Sequence, residues 1–183
     1  DYLLDLGPLK AATLMAHAGN DWNVMPEHSV RIYEALKKKG VPCMAYFHQG
    51  GHGGPPPMEL QNKWFTRFLY DVENGIENGG PRAWIVRESE VAAEGEPRKR
   101  PPPPTPYDDY PNPAASPVKL YPLAGGGAVG DLVTTAKPGQ KTETLVDDVS
   151  VPGAKLAQAE KSEHRLLFAT PPLGEPLHLS GTA

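Results

Sequence analysis

Two short stretches hold the residue types that could do chemistry. Asp21 sits at the centre of "HAGNDWNV", and His52 stands between glycines in "FHQGGHGG". An acid beside an imidazole is a working pair, because the carboxylate fixes the ring's tautomer and stabilises the imidazolium once the ring takes a proton. Both residues also have plainer readings: Asp21 as a helix cap or turn acid, His52 as a polar loop residue. A metal site is the rival chemistry, since His48 and His52 form H-x-x-x-H and His17 stands four residues before Asp21. Zinc ligands at that spacing need a helix to bring both rings to one face. Gly50 and Gly51 interrupt it here, and a strand precedes it.

Either chemistry needs elements that hold the two residues together. "AATLMAHAG" is a short apolar run ended by Gly19, as in a buried parallel strand. Pro26 suits a first helical position, with Asn23 upstream as a cap and Glu27 and Glu34 favouring the helix. Val30, Ile32, Tyr33 and Leu36 supply an apolar side, Lys37, Lys38 and Lys39 suit the negative end of the dipole, and Gly40 is a natural stop. "VPCMAYFHQ" then reads as a second buried strand, completing a right-handed βαβ unit. In open α/β sheets the working residues collect in loops at the carboxyl ends of strands. Asp21 and His52 both fall there, and the glycines around His52 let its ring turn back toward the acid. Trp22 and Asn23 flank the acid and are candidates for shaping a substrate pocket. His17 and His48 end strands near the site, and His28 lies on the exposed side of the helix.

Beyond "GGHGGPPP", the residues Gln61, Trp64, Phe65, Phe68, Leu69 and Val72 follow helical spacing, and all but Gln61 form a wide apolar stripe expected to face a core. From "RAWIVRE" onward the character changes. The runs "AWIVR", "PVKLYPL", "ETLVDD", "HRLLFAT" and "LHLSG" alternate with Pro- and Gly-rich loops, the spacing of an antiparallel sandwich. The boundary is expected near Gly79 to Arg82, giving domains 1–79 and 80–183, with a Pro-rich loop over 95–117. Tyr107 and Tyr110 in that loop read as linker residues or partner contacts, and His164 and His178 receive no chemistry.

Composition bounds the rest. The 183 residues include 22 Pro and 19 Gly, and the net charge of −4 has no block of one sign beyond "EPRKR", so no nucleic-acid surface is expected. Cys43 is alone, which excludes an intrachain disulfide and a cysteine metal cluster. No run approaches the roughly 20 apolar residues of a membrane span, so no membrane partner is expected. No signal peptide is visible, but the start at Asp1 and the close at "LHLSGTA" both read as truncation points. The compartment stays open between bacterial cytoplasm and secretion.

In α/β-hydrolases the triad runs Ser, then Asp or Glu, then His. Here Ser29, Ser89, Ser116, Ser150, Ser162 and Ser180 all follow Asp21, and none lies in G-x-S-x-G. A triad built on Asp21 and His52 takes its nucleophile from an upstream segment outside this chain.

"GNDWNVMPEHSVRIYEALKKKGVP", "YFHQGGHGG" and "RFLYDVENGIENG" closely resemble bacterial Xaa-Pro dipeptidyl-peptidases of the serine peptidase S15 type. "YPNPAASPVKLY" and "LLFATPPLGEPLHLSGT" look like the opening of that family's C-terminal domain. The resemblance implies an α/β plus all-β chain: the C-terminal part of an α/β-hydrolase, then part of a jelly-roll β-sandwich. By matching position, Asp21 is the triad acid and His52 the general base, with no cofactor needed and a fragment inactive by itself. The implied substrate is a peptide with a penultimate proline, released as an Xaa-Pro dipeptide through an acyl-enzyme; a homo-oligomer is compatible. Two rivals stay open: an α-amino-acid ester hydrolase or cocaine-esterase-like acyl hydrolase of the same architecture, and a non-catalytic binding or oligomerisation module.

Overall fold

The computed structural model describes residues 7–87 and 102–181. The chain forms two compact units, the first running to Ala115 and taking in Ser180 onward, the second being Ser116–Leu179.

The first unit contains β1 (Thr13–Ala18), α1 (Pro26–Lys39), β2 (Cys43–His48), α2 (Met58–Tyr70), β3 (Ala83–Ile85) and β4 (Thr105–Tyr107). Its sheet runs in the order β1-β2-β3-β4. β1 and β2 are parallel, from Thr13 opposite Cys43 to Ala18 opposite His48, so their carboxyl ends finish level. That register puts the two following loops side by side. α1 opens on Pro26, whose missing N–H is harmless in a first turn. It closes where Gly40 takes φ 75° and donates to the Leu36 and Lys37 carbonyls. Asn23 does not cap it. The N-cap is Met25, without a side-chain bond, and the Asn23 amide is taken by Asp21 instead.

Alternation along β2 splits the core into two layers. On one face Tyr33, Ala45 and Ala83 are fully buried, ringed by Cys43, Phe47, Ile85, Tyr107 and Tyr110. On the other, Met44 packs with Leu60 and Trp64, beside Leu14, Phe68 and Trp84. α1 covers the first face and α2 the second. Leu36, with no exposed surface, contributes about 1.5–3 kcal/mol by its burial.

Several expectations are corrected. "AWIVR" is not the first strand of an antiparallel sandwich: β3 pairs parallel with β2, so α2 is a second crossover helix. Its unbroken apolar run is the mark of a strand covered on both faces. Inside the Pro-rich loop, Thr105–Tyr107 forms β4, antiparallel to β3. Tyr110 belongs to the core rather than to a linker, with its ring edge-on to Phe47 at 4.8 Å and its hydroxyl donating to the Gly181 carbonyl at 3.0 Å. Residues 95–101 of that loop, which include "EPRKR", lie outside the described residues. The apolar stripe of α2 is narrower than expected. Leu60 and Trp64 are buried, while Phe65, Leu69 and Val72 are exposed, because the sheet face meets only one line of the helix.

The second unit contains β5 (Tyr121–Leu123), β6 (Val129–Val133), a short α3 (Gly153–Gln158) and β7 (Leu167–Ala169), with sheet order β5-β6-β7. β5 and β6 are antiparallel, but β6 and β7 are parallel, so this sheet is mixed. The long crossover that carries α3 permits the parallel pairing. β6 escapes a sequence reading because Gly130 and Asp131 break its apolar alternation. "ETLVDD" forms no strand; the Val146 amide donates to the Glu163 carbonyl at 2.9 Å, and the Asp148 carbonyl accepts the Val151 amide in a local turn at 3.0 Å. "LHLSG" forms none either, and Ser180 and Gly181 instead bond Asn112 and Tyr110 in the first unit. No helix among the described residues is long and apolar enough to cross a membrane.

Candidate active site

The site is made where β1 and β2 end. Three bonds tie the two loops together: the Gly19 amide to the His48 carbonyl at 2.6 Å, the Asn20 amide to the Gly50 carbonyl at 3.2 Å, and the Asn20 side-chain amide to the Gln49 carbonyl at 2.8 Å. On this frame Asp21 makes both kinds of contact its sequence suggests. Its Oδ1 accepts the amides of Asn23 at 2.9 Å and Val24 at 3.1 Å, closing the turn that leads into α1. Its Oδ2 lies 3.0 Å from His52 Nδ1.

A carboxylate only accepts, so His52 Nδ1 holds a hydrogen and the lone pair of the neutral ring is on Nε2. Among the described residues Nε2 has no hydrogen-bond partner, and the ring is 61% exposed, whereas the Asp21 side chain is 5% exposed. The acid is enclosed and the base is presented outward. Burial pushes the Asp21 carboxyl up in pKa, but the Val24 and Asn23 amides and the His52 ring outweigh it, holding the group below its ordinary 3.8. It is therefore an anion at neutral pH.

His48 explains the glycines. Its ring lies under the loop that carries His52, stacked on Tyr46 with centroids 5.6 Å apart. A Cβ on Gly54 would sit 2.6 Å from His48 Cε1, and one on Gly50 would sit 2.8 Å from Nδ1. Gly54 also has φ 109°, a conformation that side-chain-bearing residues avoid. The loop thus wraps a ring too closely for any side chain at those points. His48 Nδ1 accepts the Gly50 amide at 3.1 Å, and burial lowers the ring's pKa, keeping it neutral.

A cavity of about 390 Å³ opens beside the pair, lined by His17, Asp21, Val24, His48, His52 and the Gly53–Pro55 segment. Trp22 and Asn23 do not line it. Trp22 is 85% exposed, so its indole does not pack over the turn, and Asn23 contributes its backbone. The structure thus joins Asp21 to His52 and leaves the two flanking candidates outside the cavity. Among the described residues no group of three or more His, Cys, Asp or Glu side chains could hold a metal ion. Sequence reasoning missed the place of His48 beneath the glycine loop. It noticed the spacing of His17 and Asp21 but weighed it only as a metal pattern.

Comparison with known proteins covers both parts of the chain. The profile of the X-Pro dipeptidyl-peptidase (S15 family) matches residues 1–54, and that of the X-Pro dipeptidyl-peptidase C-terminal non-catalytic domain matches residues 74–183. A Rhodopirellula baltica protein, provisionally named an Xaa-Pro dipeptidyl-peptidase, is 52% identical over 182 residues, covering 100% of this chain and 28% of that protein. A Bacillus anthracis protein with the same provisional name is 31% identical over 187 residues, covering 100% of this chain and 29% of its own length. The Xaa-Pro dipeptidyl-peptidase of Lactobacillus delbrueckii subsp. lactis is 31% identical over 83 residues, 42% of this chain and 10% of that protein. The chain therefore spans less than a third of the length of these relatives.

Proposed function

Because this chain belongs to the Xaa-Pro dipeptidyl-peptidase family S15, we propose that Asp21 and His52 are the acid and general base of a serine peptidase triad that releases Xaa-Pro dipeptides from peptide N-termini. The observation that carries this reading is the 3.0 Å contact from His52 Nδ1 to an enclosed carboxylate, with Nε2 left open. In this scheme the nucleophilic serine comes from the remainder of a protein of the relatives' length. His52 Nε2 takes the serine proton as the hydroxyl attacks the carbonyl after the penultimate proline, then passes it to the leaving amine. Asp21 keeps the ring in the Nδ1–H tautomer and stabilises the imidazolium. Water, deprotonated by the same nitrogen, then hydrolyses the acyl-enzyme.

We assign residues 1–79 to the end of the α/β-hydrolase domain and residues 80–183 to the first part of a jelly-roll domain without catalytic residues. In this assignment, β3 and β4 extend the sheet of the preceding domain. The names of the relatives favour the peptidase over the acyl-ester hydrolases. The test is to assay the full-length protein on Gly-Pro and Ala-Pro anilides against simple acyl esters. Preference for the anilides is expected, and preference for the esters would overturn the substrate assignment.

A further inference from the structure

Asp21 has a second imidazole beside it. His17 ends β1 on the face covered by α1, and its side chain is 8% exposed. Its Nδ1 lies 2.5 Å from Ser29 Oγ, a buried hydroxyl on α1. Its Nε2 lies 3.0 Å from the Val24 carbonyl and 3.4 Å from Asp21 Oδ2.

The chemistry of these neighbours fixes the ring. A carbonyl and a carboxylate only accept, so Nε2 must carry the hydrogen. In the neutral ring Nδ1 is then an acceptor, and Ser29 donates to it. The Nε2–H donates to the Val24 carbonyl, and Asp21 Oδ2, the same oxygen that receives His52 Nδ1, lies 3.4 Å from that nitrogen. Oδ2 is thus approached by two ring nitrogens, while Oδ1 accepts the backbone amides of Asn23 and Val24 and lies 3.2 Å from His52 Nδ1. The titratable groups on the cavity that His17 helps to line are Asp21 from its own loop, His48 from the end of β2 and His52 from the loop after it.

We propose that His17, locked by Ser29 as the Nε2–H tautomer, is a positioning residue that holds the Asp21 carboxylate in register with His52. This rests on the triad reading above. His17 lies behind the Asp21 carboxylate, with its ring bonded to Ser29 and the Val24 carbonyl. It acts through the acid, so it governs the chemical step rather than substrate affinity.

The experiment uses the full-length protein, selectively labelled with 15N-histidine, and two readouts: steady-state kinetics on an Ala-Pro anilide, and the His52 Nδ1 proton and nitrogen resonances. His17→Phe keeps the ring's bulk and removes the donor. It is expected to lower kcat about 10- to 100-fold with KM within about twofold, and to shift the His52 resonance. His17→Gln restores a donor near the Nε2 position and is expected to stay within about threefold of wild type. Ser29→Ala frees the tautomer and is expected to cost about threefold with a smaller shift. His17→Phe with wild-type kcat and an unmoved His52 resonance overturns the proposal. Equal losses in Phe and Gln variants with that resonance unmoved also overturn it, since His17 then only braces the turn. Should His17→Phe fail to fold, Ser29→Ala decides, and wild-type kcat with an unmoved His52 resonance in that variant overturns the proposal. Wild-type protein inert on the anilide would fell the peptidase reading alone, and the resonance would still decide the role of His17.

Discussion

The two compact units use their apolar residues differently. In the unit that carries β1 to β4, Tyr33, Leu36, Ala45 and Ala83 lose all contact with solvent, and helices cover both faces of the sheet. In the unit of Ser116–Leu179, Leu123, Gly130 and Arg165 are the buried residues among those described, and the two with large side chains, Leu123 and Arg165, each keep 9% of their surface. There Val118, Val146, Val149, Leu173, Leu177 and Leu179 are all exposed. A sheet buries its apolar face only against a second layer. The first unit has that layer within the described residues, and the second does not. The difference teaches where precise geometry can be kept. A pair held at hydrogen-bond distance needs a rigid scaffold, and Asp21 and His52 stand on the unit that has one.

The largest effect should follow from breaking that concentration of chemistry. In the full-length protein, His52→Ala is expected to lower kcat by about ten-thousandfold. His164→Ala, in the second unit, should leave kcat within about twofold. Anilide kinetics on the two variants check this, and comparable losses would erase the contrast.

A stability comparison is next in size. Leu36→Ala should cost the first unit about 2–5 kcal/mol, whereas Leu167→Ala, at a partly exposed strand position, should cost the second within about 0.5 kcal/mol. Trp22, Trp64 and Trp84 all lie in the first unit, so urea unfolding followed by tryptophan fluorescence reads that unit selectively. Hydrogen exchange along β6 reads the other.

Acid gives the smallest contrast. Asp109 joins α1 to the segment after β4, accepting the Tyr33 hydroxyl at 2.8 Å and pairing with Lys37. Burial pushes its pKa up, but the bonds from Lys37, Tyr33 and the Tyr110 amide outweigh this, so it ends below its ordinary 3.8, as Asp21 does. A folded-state pKa below the unfolded one adds stability that is present above the unfolded value and lost as pH falls through the folded one. Tryptophan fluorescence should therefore show the first unit weakening below about pH 4, and Asp109→Asn should flatten that dependence. In the second unit Asp148 is also held low, but by Ser150 two residues away. Such a local turn contributes little to the pH dependence of unfolding.

The parts of the fold legible in the sequence were those where local signals and burial agree. Pro26, the lysines and Gly40 mark α1 because caps and dipole act within one turn. "AATLMAHAG" and "VPCMAYFHQ" mark β1 and β2 because a doubly covered strand must be apolar throughout. The pairing of Asp21 with His52 followed from where such strands end. Less could be read where partners are distant. Nothing in "AWIV" says that its neighbour is β2, and Thr105–Tyr107 lies among prolines that mask its extended backbone. The ring of His48 under Gly50 and Gly54 depends on three-dimensional contact alone. The role of Ser29 depends on which face of α1 meets β1, a matter of packing rather than of motif.

β1 lies at one margin of its sheet, and among the described residues it is bonded to β2 alone. Its six residues, "TLMAHA", include no proline and no lysine, the usual guards of an open margin. Its outer row of amides and carbonyls is a template for any extended segment that reaches it. The strand that delivers Asp21 is thus also the one whose free main-chain groups an extended segment could pair with.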